Sequence, residues 1–232
     1  MHRKVITTKD GSSTIFWEEL NETYHSIHGA WQESEHVFIK EGIVWYSNQF
    51  PAQKHISIFE VGLGTGLNVI LTLKYCLQNP DKQVDYYGIE PYPLAQEEVS
   101  SLNYKDLLHE DLHKYFDYIH HCEWEKTHQI LPSFSFYKAQ QFLQSFTTFS
   151  ISQKLSFDIV YFDAFAPTKQ AEMWEIASLS KAVSLLKVNG ILVTYCAKGS
   201  FKRDLKSLGL QVQSPQGAAG KREMTRGVRI TA

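Results

Sequence analysis

Cysteine is scarce in this chain: its 232 residues carry three, Cys76, Cys122 and Cys196. An odd number of widely separated thiols with no C-x-x-C pair gives no disulfide framework and predicts buried, reduced side chains. No apolar run approaches the ~20 residues that cross a bilayer. The opening M-H-R-K-V-I-T-T-K-D lacks the apolar core of a signal peptide, so a cytoplasmic protein is expected. Internal repeats and low-complexity tracts are missing as well. What is there, at 43% hydrophobic residues, is enough for one α/β domain with a full core and a small extension, and too little for two equal domains. The net charge of −2 hides an asymmetry. From Lys187 onward nine Lys or Arg stand against Asp204 and Glu223, leaving an acidic body with a basic end. A face that meets a polyanion and a set of solvated surface charges both fit that pattern.

The chain is organised around Ile56–Asn68, where Ile56, Ile58, Phe59 and Val61 run into the alternating glycines Gly62, Gly64 and Gly66 and then a helical pattern over 67–78. This reads as strand, tight turn, helix. Glycines there permit positive φ and leave no Cβ between backbone and ligand. A dinucleotide turn has G-x-G-x-x-G under a pyrophosphate. Here the spacing is G-x-G-x-G behind an acid, Glu60, which repels phosphate and suits a cationic cofactor without one. E-x-G-x-G-x-G at a strand end resembles motif I of class I methyltransferases, which implies S-adenosylmethionine. An NAD site and a bare glycine turn are the competing readings.

Residues 1–55 mix polar and large apolar residues in strand-like runs, T-I-F-W-E-E and E-H-V-F-I-K-E-G-I-V-W-Y, and are expected to form a small β-rich extension. Its Tyr24, His25, Ser26, Glu33 and Glu35 either border the site or cap local loops. After the glycine helix, V-D-Y-Y-G-I-E is a second strand ending at Glu90, where a carboxylate accepts hydrogen bonds from ribose hydroxyls. A helical insertion is expected around 103–130. Its His109, His113, His120, His121, Cys122 and His128 raise zinc, but they scatter without a second paired cluster, so no metal is expected. S-F-S-F-Y-K-A is a third strand followed by a helix, Q-Q-F-L-Q-S-F; Ala139 and Gln140 stand where an adenine contact is expected. F-D-I-V-Y-F-D is a buried fourth strand ending in D-A-F-A-P. A helix over 170–187 would place Met173, Ile176, Leu179, Val183 and Leu186 on one face. G-I-L-V-T-Y-C, a helix from about Ser200, L-Q-V-Q-S and T-R-G-V-R-I-T complete a Rossmann-like, seven-stranded, mostly parallel sheet over 56–232.

The loop after the fourth strand faces the transferred group in this architecture, and Asp163 is its only acid. A protonated amine cannot attack, so a carboxylate that holds the amine and receives its proton is the chemistry expected there. The alternative is that Asp163 caps a turn. Phe165 would supply an aromatic wall for a base or a cation. F-D-A-F-A-P-T-K-Q-A-E-M-W, Y-C-A-K-G-S-F-K-R-D-L-K-S-L-G-L and G-K-R-E-M-T-R-G-V together resemble the methyltransferase half of the bifunctional MnmC enzymes and their stand-alone counterparts, called MnmD, from about Tyr24 onward. The resemblance implies methylation by S-adenosylmethionine of the aminomethyl group of 5-aminomethyl-2-thiouridine at the tRNA wobble position. It assigns Glu60, Gly62, Gly64, Gly66, Asn68 and Glu90 to the cofactor and Asp163 to catalysis. Two departures stand out: the aspartate common after the third strand is replaced at Ala139–Gln140, and Ala171 stands where many members have a proline. The FAD-dependent oxidase domain of the bifunctional enzymes is expected to be absent. With tRNA as partner, Lys198, Lys202, Arg203, Lys221 and Arg222 would contact phosphates, and Phe165 or Trp174 would stack on the exposed base beside Tyr24. A small-molecule or protein amine methyltransferase and a non-catalytic RNA-binding protein with a relic pocket are the rivals.

Overall fold

The computed structural model describes residues 2–146, 156–218 and 220–230. Strands β1 (Arg3–Thr7), β2 (Ser13–Trp17) and β3 (Glu22–Thr23) form a small antiparallel sheet. Eight more strands form the main sheet: β4 (His55–Val61), β5 (Gln83–Ile89), β6 (Thr127–Leu131), β7 (Phe134–Ala139), β8 (Phe157–Phe162), β9 (Leu186–Thr194), β10 (Leu210–Gln213) and β11 (Thr225–Arg229). Their spatial order is β10-β11-β9-β8-β4-β5-β7-β6. Strands β7, β5, β4, β8 and β9 are parallel, while β11, β10 and β6 run antiparallel to their neighbours. The expected α/β architecture holds, with eight strands rather than seven. The additional strand is β6, which pairs as a hairpin with β7 in a stretch expected to be helical.

Alternation along β4 explains the two-sided core. Ile56 and Ile58 join Tyr86, Phe136, Ile159 and Tyr161 on one face; Phe59 and Val61 join Ile89, Val160, Phe162 and Leu192 on the other. The first face is covered by α1 (Ala30–Ser34), a π-helical stretch Glu35–Val44, α2 (Trp45–Gln49) and α3 (Leu67–Gln78). The short helices α4 (Gln96–Ser100), α5 (Tyr104–Leu107) and α6 (His113–His121) follow β5. The second face is covered by α7 (Ile176–Ser184) and α8 (Gly199–Ser207).

Three expectations need correction. The run E-H-V-F-I-K-E-G-I-V-W-Y is helical, so the first 55 residues are a three-stranded sheet followed by a helical stretch. Bonds spanning five residues bring Val37, Gly42 and Ser47, and likewise Phe38 and Ile43, onto the buried side. The helix over 170–187 is divided: Ala171–Trp174 is a 3-10 turn, Ile176 is exposed, and Leu186 already begins β9. Residues 143–145 form a turn in place of the helix expected over 140–146 after β7. No helix among the described residues is long and apolar enough to cross a membrane. Cys76 and Cys196 are buried and Cys122 is half-buried; all three are free thiols.

Candidate active site

The register of the sheet builds the site. Val61 pairs with Ile89 on one side and Phe162 on the other, so the residues that follow, Gly62, Glu90 and Asp163, stand abreast at the carboxyl ends of three adjacent parallel strands. The strands laid down after β4 go to one side as β5 and β7 and then to the other as β8 and β9, and this switch in strand order is where open α/β sheets bind ligands. The amides of Gly62 and Leu63 each donate to the Ile89 carbonyl at 3.1 Å, and the Asp163 amide donates to the Val61 carbonyl at 3.0 Å. Gly64 donates to Glu90 Oε2 at 2.9 Å. Gly66 donates to the Leu63 carbonyl at 2.9 Å. Four N–H groups of the turn are thus engaged within the fold, and an acid receives one of them. The turn lacks the open amide cradle that a pyrophosphate needs.

The turn opens on a cleft of about 700 Å³ whose floor includes Asn68, Glu90 and Asp163. Asn68, in the first turn of α3, donates from Nδ2 to Glu60 Oε1 at 2.8 Å and to Asp163 Oδ2 at 3.0 Å. Its own Oδ1 and Glu60 Oε2 are buried without a hydrogen-bond partner among the described residues. Burial drives the Glu60 carboxyl well above the ordinary range, against the Asn68 hydrogen bond. Burial, assisted by the nearby charge of Glu33, pushes Asp163 up to about 8, with Asn68 and Lys221 pulling it back. Glu90 is also raised by burial, although the amides of Tyr92 and Gly64 and the charge of Arg3 oppose the shift.

Asp163 therefore couples stability to pH. Below 3.8 both the folded and unfolded states hold its proton; between there and about 8 the folded state keeps a proton that the unfolded chain has lost. Stability from this group is full below the lower value and falls as pH rises, by at most ~1.4 kcal/mol per pH unit. The Tm of cofactor-free Asp163→Asn is expected to gain on that of the parent from pH 5 to pH 8. Parallel Tm curves for the two proteins would show that burial does not hold this proton.

Aromatic rings wall the cleft. Phe165 stands edge-on to Trp17 at 5.7 Å and to Tyr24 at 5.0 Å, and Tyr92 meets Trp17 at 5.3 Å and Phe142 at 5.7 Å. Arg3 locks the small sheet to the segment after β5: its Nη1 donates to Tyr24 Oη at 3.0 Å and to the Tyr92 carbonyl at 2.9 Å, and its guanidinium pairs with Glu98 at 2.9 Å. Burial and the charge of Glu90 raise Tyr24 to about 12, so its phenol is neutral. His25 lies between Thr14 and Thr65 at 3.0 and 3.4 Å, and burial lowers it to about 4, keeping it neutral too. Tyr104 donates to Thr65 Oγ1 at 3.1 Å, and His120 meets the Thr65 carbonyl at 3.2 Å. The glycine turn is braced from three directions.

Residues 105–230 match the S-adenosyl-L-methionine-dependent methyltransferase family. The chain belongs to that family. The chain is 27% identical over 226 residues to the tRNA 5-methylaminomethyl-2-thiouridine biosynthesis bifunctional protein MnmC of Cupriavidus metallidurans, covering 95% of this chain and 33% of the relative. It is 28% identical over 226 residues to the same-named protein of Pseudoalteromonas translucida, covering 89% and 33%. The chain thus spans about a third of the length of these curated relatives, and the MnmC resemblance read from its motifs is borne out. MNMC2 from Aquifex aeolicus superposes with a TM-score of 0.80 over 100% of this chain and 71% of that one at 24% identity, which shows the shared fold.

The methyltransferase uses S-adenosylmethionine, and the residues of the turn fit it. Asn68 Oδ1 is an unpartnered acceptor at the cleft for its amino group, and each Glu90 oxygen, holding one amide, keeps a lone pair for ribose hydroxyls. Of the residues expected at the site, Gly62, Gly64, Asn68, Glu90, Asp163, Phe165, Tyr24 and His25 line the cleft. Glu60 lies behind Asn68, and Gly66 backs onto His120.

Other expectations fail. Ala139 is buried and its carbonyl already receives the amides of Glu90 and Gln141 at 3.0 Å each, while Gln140 is outside the cleft. The chain runs one step further before bending, so Gln141, Phe142 and Leu143 line this end. Trp174 is core: it packs on Phe162 and Phe201, and its Nε1 donates to the Phe165 carbonyl at 2.7 Å. It braces Phe165 and presents no face for a base. Glu35 faces away, taking Trp31 Nε1 at 3.2 Å.

Four of the basic side chains at this end are held in ion pairs. Lys202 binds Glu223 at 2.7 Å, Lys187 binds Asp158 at 2.8 Å, and Arg226 binds Glu41 at 2.9 Å over the Trp45 ring. Lys221 binds Glu33. Lys198, Arg203 and Arg222 are exposed and have no ion pair among the described residues. The histidines serve separate local partners, and no three His, Cys, Asp or Glu side chains converge among the described residues. Sequence reasoning assigned no role to Thr65 inside the glycine motif, and missed Arg3, Trp17 and Tyr92, which no local motif marks.

Proposed function

We propose that this methyltransferase methylates the primary amine of 5-aminomethyl-(2-thio)uridine at the wobble position of tRNA, giving the 5-methylaminomethyl product. The observation that carries the reading is a half-buried carboxyl, Asp163, that lines the cleft at the end of β8 and is fixed through one oxygen by Asn68; its surroundings push it up to about 8. A base with that affinity for a proton matches the task of relieving an amine near neutral pH. The names of the MnmC relatives support the tRNA product. In this reading residues 56–232 are the methyltransferase domain and residues 1–55 supply one wall.

When bound, the cofactor supplies an electrophilic methyl group on a sulfonium that leaves as a neutral thioether. Asp163 orients the amine with Oδ1, which has no partner among the described residues, because Oδ2 is held by Asn68. Asp163 would receive the N–H proton that the nitrogen sheds on methylation, while Asn68 keeps the other carboxyl oxygen in place. Phe165 is the wall against which the base rests. Its amide donates to Gln170 Oε1 at 3.2 Å and its carbonyl is held by Trp174, so the ring is set before substrate arrives. Nucleoside analysis of tRNA after incubation with labelled S-adenosylmethionine tests the reading; label absent from the wobble uridine, or present only in protein or small amines, would refute it.

The same reading places Lys198, Arg203 and Arg222 on phosphates of the anticodon arm, in the cytoplasm. Each such contact contributes about 0.7 to 0.9 to the slope of log affinity against log salt. Neutralising Lys198 and Arg203 together is expected to flatten the tRNA slope by roughly 1.5, with cofactor affinity unchanged. A slope equal to the parent's would return these charges to solvent.

A further inference from the structure

A second carboxylate, a lysine and a tyrosine adjoin the Asp163 loop and have no role so far. Glu33 in α1 has a side chain only 7% exposed. Its Oε2 accepts the Ser26 amide at 2.7 Å, and its Oε1 takes the Lys221 ammonium. Lys221 comes from the segment between β10 and β11, and its Nζ lies 4.1 Å from the centroid of the Tyr195 ring. The Tyr195 hydroxyl donates to the Ala164 carbonyl at 2.8 Å, one residue beyond Asp163. Glu33 and Lys221 both lie close enough for their charges to act on the Asp163 carboxyl. Tyr195, Lys221 and Arg222 also line a shallow open cleft on the outer side.

A buried carboxylate on one side and an aromatic face on the other form a receptor for an alkylammonium. Lys221 fills it with an ammonium of the same chemistry as a primary amine substrate, carried on a flexible stem. Replacing one ammonium by another leaves the local charge unchanged, so the exchange carries no desolvation penalty for an unpaired Glu33. The displaced Lys221, beside exposed Arg222, is then available to a phosphate.

Resting on the reading of an amine-bearing RNA substrate, we propose that Lys221 is an internal stand-in for the substrate ammonium. Glu33 and the Tyr195 face are the site that receives that ammonium, and Lys221 is handed over to the RNA backbone as the nucleotide enters. Glu33 is a positioning residue: it captures the cation, and Asp163 takes the proton.

The probes are the nucleosides 5-aminomethyluridine and 5-hydroxymethyluridine and methylammonium alone, titrated by calorimetry into the full chain. Lys221→Ala is expected to bind aminomethyluridine at least ~10-fold more tightly than the hydroxymethyl analogue, as an added charged hydrogen bond allows. The double variant Glu33→Gln with Lys221→Ala is expected to lose that preference. No preference in the single variant, or the same preference in both, overturns the proposal. Lys221→Arg keeps the ion pair, and with it the fold, but grips Glu33 through two N–H donors. It is expected to lower kcat/KM for aminomethylated tRNA about 10-fold with unchanged cofactor affinity, whereas a merely structural ion pair would leave the rate at the parent's, which also overturns the proposal. The two readings fail separately. Methylated tRNA without an amine preference refutes the receptor alone, while Glu33-dependent methylammonium binding with no tRNA methylation supports the receptor and refutes the tRNA reading.

Discussion

Replacing Asp163 by Asn is expected to lower turnover by ~10²-fold or more, the usual range for a general base, while tRNA and cofactor affinities change little. Asn keeps the side-chain oxygen that accepts from Asn68 Nδ2, now at 3.0 Å, and loses the proton acceptor. The pH profile separates the two roles. In the parent, kcat/KM should rise with pH and level off above about 8 as Asp163 ionises. The variant should lack that limb and continue to climb as the substrate amine itself loses its proton, so the deficit narrows at high pH. Saturating cofactor should move the parent's limb to lower pH, because a sulfonium beside a carboxyl favours its charged form. Turnover near the parent's at neutral pH would mean that Asp163 only braces its loop.

The second large effect is structural and falls on the glycine turn. Gly62 has φ +88°, and a Cβ there would lie inside van der Waals contact of the Asp163 carbonyl oxygen, a backbone atom that β8 holds in place. Gly62→Ala is therefore expected to destabilise the protein by ~3–5 kcal/mol, combining left-handed backbone strain with a rigid clash. Gly64 has φ +49°, but its added Cβ would meet only the edge of the Tyr24 ring, 3.2 Å from Cδ2. Gly64→Ala should lose about 1–2 kcal/mol of stability and weaken cofactor binding, the space it fills being cleft. Urea unfolding of the two variants gives the comparison; equal losses would remove the distinction between a glycine needed by the sheet and one needed by the ligand.

Those glycines were legible in the sequence because the turn is local: strand pattern, G-x-G-x-G and helix pattern adjoin, and α3 spans the expected 67–78. Glu90 and Asp163 were legible because each ends a buried strand. The stretch 35–44 was not, because it is rich in β-branched and aromatic residues and its apolar pairs Phe38/Ile43 and Ile39/Val44 stand five apart, a period that neither strand nor α-helix templates contain. The same limit applies to the basic end. Composition counts Lys221, Lys202 and Arg226 as free charge, and only the folded chain shows Glu33, Glu223 and Glu41 beside them. Trp174 was misread for a similar reason, since an exposed stacking ring and a buried brace have the same one-letter code.

The helical stretch from Ala30 to Gln49 is clasped by the far end of the chain: Glu33 by Lys221, His36 by the Gln216 carbonyl at 2.7 Å, and Glu41 by Arg226. Those partners are separated by about 180 residues or more. Contacts of that range close late, since the loop entropy must be overcome before they contribute. Tyr24 and His25 stand just before this stretch but are seated by Arg3, Thr14, Thr65 and Phe165, so the wall of the cleft and the clasp over α1 are held by different parts of the chain. The clasp over the helical stretch is therefore complete only once residues 216–226 have joined the sheet.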